Sequence, residues 1–398
     1  ERGETKSAVM LRHAGVVKRN VSRNDEGELT LRDQPIHMSK SAKTLTILVF
    51  ILIVFGLVML SSAGVVEGQK RFGSSSYYFV HQFLYGVLPG LALFFLFSKI
   101  NYRFWKKIAL PLLIAVTGLM VLVFVPGIGY GLRGAQRWVD FGLFTFQPSE
   151  ILKLTLIIYL AAWFSRREGH INSGPQSAAP FFLVMIFVGA LLLLQPDMGT
   201  LVLVTLIAMA LYFFAGVKLT HFLALILILA VLLGALSFAE SYRFKRLKAF
   251  FNPNADTQGI AYHVNQTMIG IGSGGMFGLG FGQSRQKLFN YLPEPIGDSI
   301  FAIVIEELGF VGGVFLLAIF LILFLTLISI ARSANQFGRL LVLGVAVWMS
   351  GQAFINIAAI TGLIPLTGLP LPFISFGSSS LVSILAGLGI AVNVAKYS

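Results

Sequence analysis

Apolar runs of about 20 residues recur through the chain. That is the length of helix needed to cross a hydrocarbon core roughly 30 Å thick. The pattern predicts an all-α polytopic membrane protein with ten transmembrane helices. The spans are expected at about 44–66, 78–97, 108–128, 151–164, 180–195, 200–217, 219–239, 299–330, 339–361 and 379–396. The fourth and fifth look short, so they borrow residues from their flanks or sit inside the bundle, where irregular backbone is tolerated. Only 12% of residues are charged, about half the share of a soluble domain. That composition belongs to the membrane class, and nucleic acid is not expected as a partner. Cysteine is absent, which excludes disulfides, thiolate catalysis and Cys-ligated metals. The first membrane helix is expected to do the targeting.

Residues 1–43 carry nine Lys/Arg and six Asp/Glu and read as a mostly disordered, basic cytoplasmic tail. The transmembrane domain occupies 44–398, with a large extracytoplasmic loop at 240–298 between helices 7 and 8. Orientation follows from the short loops. Lys99, Arg103, Lys106, Lys107, Arg166, Arg167, Lys218, Arg332 and Arg339 fall on one side with the tail, which assigns that side to the cytoplasm. The 240–298 loop holds six Lys/Arg on the other side, but long loops translocate largely regardless of charge. Both termini are then cytoplasmic. Gly86 and Gly90, and Gly309 and Gly313, have the GxxxG spacing of close helix contacts.

The stretch 270–313 carries the unusual chemistry. It opens with seven glycines in thirteen residues, which argues against a regular helix and for tight turns around a site. Gly270, Gly272 and Gly275 fit GxGxxG, but no strand precedes them and no GK[ST] follows, so nucleotide binding is not expected. Lys287, Glu294 and Asp298 come next, and an apolar run begins immediately after Asp298. A carboxylate at a membrane rim suits a general base acting on a sugar hydroxyl. It equally suits a helix N-cap, and the two readings are compatible. Asp298 lies eight residues before Glu306, on roughly the same helix face. Glu306 and Glu307 sit inside an apolar span, one of them expected to meet a cation such as Lys153 or Arg137. Lys153 lies three residues after Glu150. It either lines a polar site or forms a self-satisfying pair with Glu150.

Several outer segments are expected to wall a cavity. In 240–253, Arg243, Lys245, Arg246 and Lys248 alternate with Tyr242, Phe244, Leu247, Phe250 and Phe251. The pattern suits an interfacial segment that meets a lipid-linked pyrophosphate, or simple snorkelling and anchoring. GAQRWVDFG reads as a loop holding Arg137, Trp138 and Asp140, and QPDMGT holds Asp197. Pro365, Pro370 and Pro372 forbid a straight helix and favour a re-entrant segment. None of the six histidines has metal-ligand spacing to another.

RWVDFG, FQPSEILKL, QPDMGT, YRFKRLKAFFNP, the long YHVNQTMIGIGSGG…LPEPIGDSIFAIVIEELGFVGG element and NIAAITGLIPLTGLPLPFISFGSSS occur in the order seen in one family. Over about 44–396 the chain resembles the SEDS family (shape, elongation, division and sporulation), which includes FtsW and RodA. SSAG near the first span favours the FtsW-like branch. The resemblance implies a ten-helix peptidoglycan glycosyltransferase that polymerises lipid II at the outer face of the bacterial cytoplasmic membrane during septal synthesis. It implies Asp298 as the catalytic aspartate. The substrate-binding set then comprises Arg137, Glu150, Lys153, Arg243, Arg246, Lys287, Glu294, Glu307, Pro370 and Pro372. It further implies a single-span class B penicillin-binding protein as partner, alongside other division membrane proteins. A divalent cation, Mg or Mn, is the one cofactor to consider, with no protein metal ligands assigned. Two departures stand out: Ser299 follows Asp298 where an aromatic is common, and FISFGSSS replaces the usual SYGGSS. The competing functions are a lipid II flippase, with Lys153 and Glu307 on its path, and a non-enzymatic division scaffold.

Overall fold

A computed structural model describes residues 21–23, 29–31, 40–132, 135–140, 142, 145–167, 175–239, 241–252, 259–289 and 291–397. The chain divides into two units, 1–37 and 38–398. In the first, Val21–Arg23 (β1) pairs antiparallel with Leu29–Leu31 (β2). The rest of the expected disordered tail falls outside the described residues, except that its last four residues are already helical.

The second unit begins with α1 (Lys40–Ala63), the short α2 (Val65–Phe72) and α3 (Tyr77–Phe97). After α4 (Arg103–Leu122) come β3 (Gly129–Leu132), β4 (Ala135–Asp140) and β5 (Thr145–Phe146). Next are α5 (Pro148–Ser165), α6 (Pro175–Leu194), α7 (Met198–Phe214), α8 (Leu219–Ala239), α9 (Ser241–Phe251) and α10 (Ile260–Ser273). The order ends with α11 (Arg285–Leu288), α12 (Ile300–Ser333), α13 (Gln336–Ile360) and α14 (Ser378–Tyr397).

Seven described helices, α1, α3, α4, α5, α12, α13 and α14, are long and apolar enough to cross a membrane. Three shorter apolar helices cover Ala179–Leu194, Met198–Phe214 and Leu219–Ile228. The chain is a mostly helical membrane protein. It is not purely α, because β3, β4 and β5 form a three-stranded antiparallel sheet where a loop was expected. The physical reason is local: Tyr130 pairs with Trp138 and Val139 with Phe146, and aromatic and β-branched residues stabilise one another across strands.

α5, α13 and α14 are mostly buried, whereas α1, α3, α4 and α12 turn much of their apolar surface outward. The short fourth span thus lies inside the bundle. Gly86 and Gly90 act as close-packing residues: a Cβ on Gly90 would lie 2.6 Å from Leu385 Cδ1 on α14.

The second GxxxG pair behaves differently. Gly309 takes φ 73° and ψ −175°, which breaks α12 into two segments. The glycine-rich stretch crosses at that break. Leu279 N donates to Glu306 O (2.9 Å), Gly280 N to Glu307 O (3.1 Å), Phe310 N to Gly275 O (2.9 Å) and Val311 N to Met276 O (3.2 Å). The backbone groups orphaned by the break are thereby satisfied, as burial in an apolar bundle demands. The glycines are needed because any side chain on Gly309 or Gly278 would collide with the other strand's backbone. The expectation that the stretch avoids helix from its first glycine is corrected: α10 runs through Gly270 and Gly272 to Ser273. About half of residues 241–298 lie in α9, α10 and α11.

Candidate functional site

Asp298 sits at the end of a short loop that enters α12. Ser299, not Asp298, occupies the N-cap position of α12. Because Asp298 precedes the helix, the expected shared face with Glu306 does not exist. The loop is held from three sides. Asn356 of α13 donates from Nδ2 to Asp298 O (2.9 Å) and to Leu369 O (2.8 Å). Ser375 Oγ donates to Gly297 O (2.7 Å), and Phe376 N donates to Ile296 O (2.8 Å). Ser299 Oγ donates to Pro293 O (2.9 Å) and lies 2.5 Å from His263 Nε2 on α10. The backbone around Asp298 is therefore fixed from several sides, and the residue itself is half-buried.

Arg246 of α9 approaches the same point. Its Nη1 donates to Leu366 O (2.8 Å). A Cβ built on Gly368 would lie 3.7 Å from Asp298 Oδ2 and 3.8 Å from Arg246 Nη2, so both groups converge over that glycine. His263 feels this setting. Burial pushes its imidazole down to about 4, with Arg246 lowering it further and Glu294 opposing. It is therefore neutral at physiological pH. Since the Ser299 hydroxyl hydrogen is spent on Pro293 O, the imidazole donates from Nε2.

The proline segment is anchored one helical turn away. Gln352 lies four residues before Asn356 on α13, on the same face. Its Nε2 donates to Pro370 O (2.8 Å), while its Oε1 accepts from Lys153 Nζ (3.1 Å) and Trp348 Nε1 (2.9 Å). Lys153 is fully buried and pairs with Glu150 at 2.8–2.9 Å. Lys153 makes the expected pair with Glu150, extended through Gln352 to the carbonyl of Pro370. Pro372 is buried in the same segment.

Glu306 and Glu307 are both buried, but neither meets Lys153 or Arg137. Glu307 pairs with Lys287 of α11 and accepts from Ser62 of α1 (2.7 Å to Oε2). Glu306 accepts from Ser284 Oγ and from Arg285 N (3.0 Å). The two carboxylates dock the segment after the glycine run. Arg137, on β4, donates from Nε to Gln195 O (3.1 Å) and from Nη2 to Pro196 O, with Nη1 3.9 Å from Asp197. Asp197 caps α7 through Thr200 N (3.2 Å). Arg243 lies on α9, with its side chain outside the described residues. Glu294 lines a separate groove together with Lys70 and Arg71.

The sequence analysis brought forward the charged residues and missed the neutral ones that hold them: His263, Gln352, Asn356, Ser62 and Ser284. A usable signal existed for Gln352 and Asn356, since polar side chains inside an apolar span carry a cost that calls for a partner.

Similarity to known proteins follows this architecture. Residues 43–398 match the family model FtsW/RodA/SpoVE, described as cell cycle protein. Stage V sporulation protein E of Bacillus subtilis is 37% identical over 355 residues, covering 89% of this chain and 96% of that protein. The probable peptidoglycan glycosyltransferase FtsW of Trichlorobacter lovleyi is 37% identical over 367 residues, covering 92% and 96%. Among solved structures, a chain of a peptidoglycan synthase complex that coordinates polymerization and crosslinking superposes with a TM-score of 0.73 at 28% identity, covering 88% and 96%. The rod shape determining protein RodA of Thermus thermophilus superposes with a TM-score of 0.65 at 30% identity, covering 88% and 95%. With nearly the whole membrane unit matched in both sequence and fold, the chain belongs to the FtsW/RodA/SpoVE family of cell cycle proteins.

Proposed function

We propose that this chain is a peptidoglycan glycosyltransferase that polymerises lipid II at the outer face of the bacterial cytoplasmic membrane. The observation that carries the reading is the Asp298 carboxylate, set just before the long apolar helix α12 on a backbone held by Asn356 and Ser375, with Arg246 converging on it. Its relatives are named as peptidoglycan glycosyltransferases, which supports the same chemistry here. Asp298 takes the proton from the 4-hydroxyl of the acceptor's N-acetylglucosamine. The oxygen then bonds to C1 of the donor's N-acetylmuramic acid. The bond from C1 to the phosphate oxygen breaks, and undecaprenyl diphosphate leaves with that electron pair. Inversion converts an α-linked donor into a β-1,4 link. Arg246, with Arg243 on the same helix, offsets the charge that develops on the diphosphate.

Among the described residues no three His, Asp or Glu side chains converge as a cation site, and Asp298 shares its surroundings with a guanidinium. A Mg or Mn ion here would rest mainly on water and the diphosphate, with Asp298 the carboxylate beside it, and no step is routed through it. Transport draws less support. Lys153 and Glu307, the residues a translocation path would use, are each bonded inside the bundle to Glu150 and Lys287.

In this reading the seven long helices and three shorter ones make ten spans, with both termini cytoplasmic and the 240–298 segment outside. A single-span class B penicillin-binding protein is the proposed partner, consistent with the likeness to a synthase complex. The test is lipid II polymerisation by purified protein, alone and with that partner. Asp298→Asn is expected to reduce strand formation at least about 100-fold, the scale of a lost general base, with an unchanged melting profile. Strand formation at the wild-type rate by Asp298→Asn would sink the mechanism.

A further inference from the structure

α10 runs from Ile260 to Ser273, roughly 21 Å at about 1.5 Å per residue. It is bonded at three levels to the elements that carry Asp298. Near its start, His263 Nε2 lies 2.5 Å from Ser299 Oγ. One turn further on, and on the same face, the fully buried Thr267 places its hydroxyl 2.6 Å from Val264 O and 3.0 Å from Ile360 O. Ile360 ends α13, so its carbonyl is one of those a helix cannot satisfy by itself. At the far end of α10, Ser273 Oγ reaches Glu306 Oε1 (3.4 Å). Just past that end, a Cβ on Gly274 would collide with Ile305 O, so the chain there packs backbone to backbone on α12.

Two of these bonds act on the supports of Asp298 itself. The loop 293–299 closes on its own backbone: Ser299 Oγ donates to Pro293 O (2.9 Å), while Gly297 N (3.1 Å) and Ser299 N (3.4 Å) donate to Glu294 O. That closure holds Glu294 at φ 50°, a conformation that persists only where the surroundings enforce it. Asp298 stands inside the closure, and His263 grips the closing hydroxyl from outside it. Thr267 serves the second support. The turn of α13 it reaches also carries Asn356, four residues before Ile360, whose amide donates to Asp298 O (2.9 Å). α10 therefore spans the loop and α13, and its own placement is set where it meets α12 before the Gly309 break.

From this we infer that His263 and Thr267 are positioning residues: through the loop and through α13 they hold Asp298 in the geometry that proton transfer needs, without acting on substrate. The catalytic meaning rests on the glycosyltransferase reading, but the positioning can be measured without turnover. The 398 residues contain no cysteine, so a single thiol at Asp298→Cys reports on the loop. Its alkylation by a maleimide is expected to run at least about threefold faster when His263→Ala or Thr267→Val is added, because local opening becomes easier. His263→Gln and Thr267→Ser keep the N–H and the hydroxyl, and should leave the parent rate. With Asp298 in place, His263→Ala and Thr267→Val should lower kcat for lipid II polymerisation about ten- to hundredfold at unchanged KM, the scale of a misplaced reacting group. His263→Ala added to Ser299→Ala should cost nothing beyond Ser299→Ala alone, since the bond is already lost. Thiol reactivity indifferent to both His263→Ala and Thr267→Val would overturn the positioning role. So would a Thr267→Ser rate as fast as that of Thr267→Val, or a rise in KM at constant kcat, which would make α10 a substrate-binding element. The expected thiol rates in a protein whose wild type makes no glycan would instead keep the positioning and remove the polymerase reading.

Discussion

His263 shows how a single neutral side chain conditions the site. It bonds to Ser299, the residue after Asp298, and its imidazole is held down to about 4 by burial. An unfolded histidine titrates near 6.5. Above that value both states are neutral and the group has no effect on stability. As pH falls from 6.5 towards 4 the unfolded chain takes up a proton that the folded chain refuses, so stability drops through that window. The loss reaches on the order of 3 kcal/mol at the acid end, less where solvent screens the ring. Wild type should therefore lose thermal stability and strand synthesis together between pH 6.5 and 4. His263→Gln keeps an N–H donor and has no proton to gain, so its profile should be flatter. An identical acid limb in the variant would show that another group controls it. None of this was legible in the sequence, because the value of a histidine depends on what the tertiary fold packs around it.

At the scale of elements, the glycine run and α12 form one device. The sequence marks the run as conformationally special, and it marks Glu306 and Glu307 as expensive to bury. What it does not reveal is that the two belong together, since a backbone exchange across the Gly309 break is a long-range pairing with no local periodic signature. The same exchange explains why Gly309 breaks the helix and packs against the glycine run, although its spacing to Gly313 reads like the helix–helix contact of Gly86 and Gly90 with α14. Lys287 and Glu307 lock the device to Ser62 of α1. Both are buried in this pairing. Lys287→Met strands a buried carboxylate and should cost about 3–5 kcal/mol. The double variant Lys287→Met with Glu307→Leu removes both charges and should recover most of that loss, with strand synthesis restored alongside. A double variant that is stable but inactive would instead give these residues a direct part in the chemistry.

For the whole molecule, composition and run length were enough to read a polytopic membrane fold, since lipid permits so few alternatives. The sheet of β3, β4 and β5 escaped because such short strands have neither length nor a long alternating pattern. Which helices are central was only half visible: α5 looked short, and its buried Glu150–Lys153 pair shows why it can be. Its polar groups face α13 and the proline segment, not lipid. The orientation proposed from basic loops bears on the proposed function, because Asp298 must face the compartment where the glycan is made. These 398 residues contain no cysteine, so single thiols placed among them report topology against no background from this stretch. Ser75, exposed between α2 and α3, and Ser333, exposed at the end of α12, should lie on opposite sides. A membrane-impermeant maleimide applied to intact cells should label Ser75→Cys at once and Ser333→Cys only after permeabilisation. The reverse order would place Asp298 in the cytoplasm, where a lipid II polymerase acting outside cannot work, and would reopen the choice between synthesis and transport.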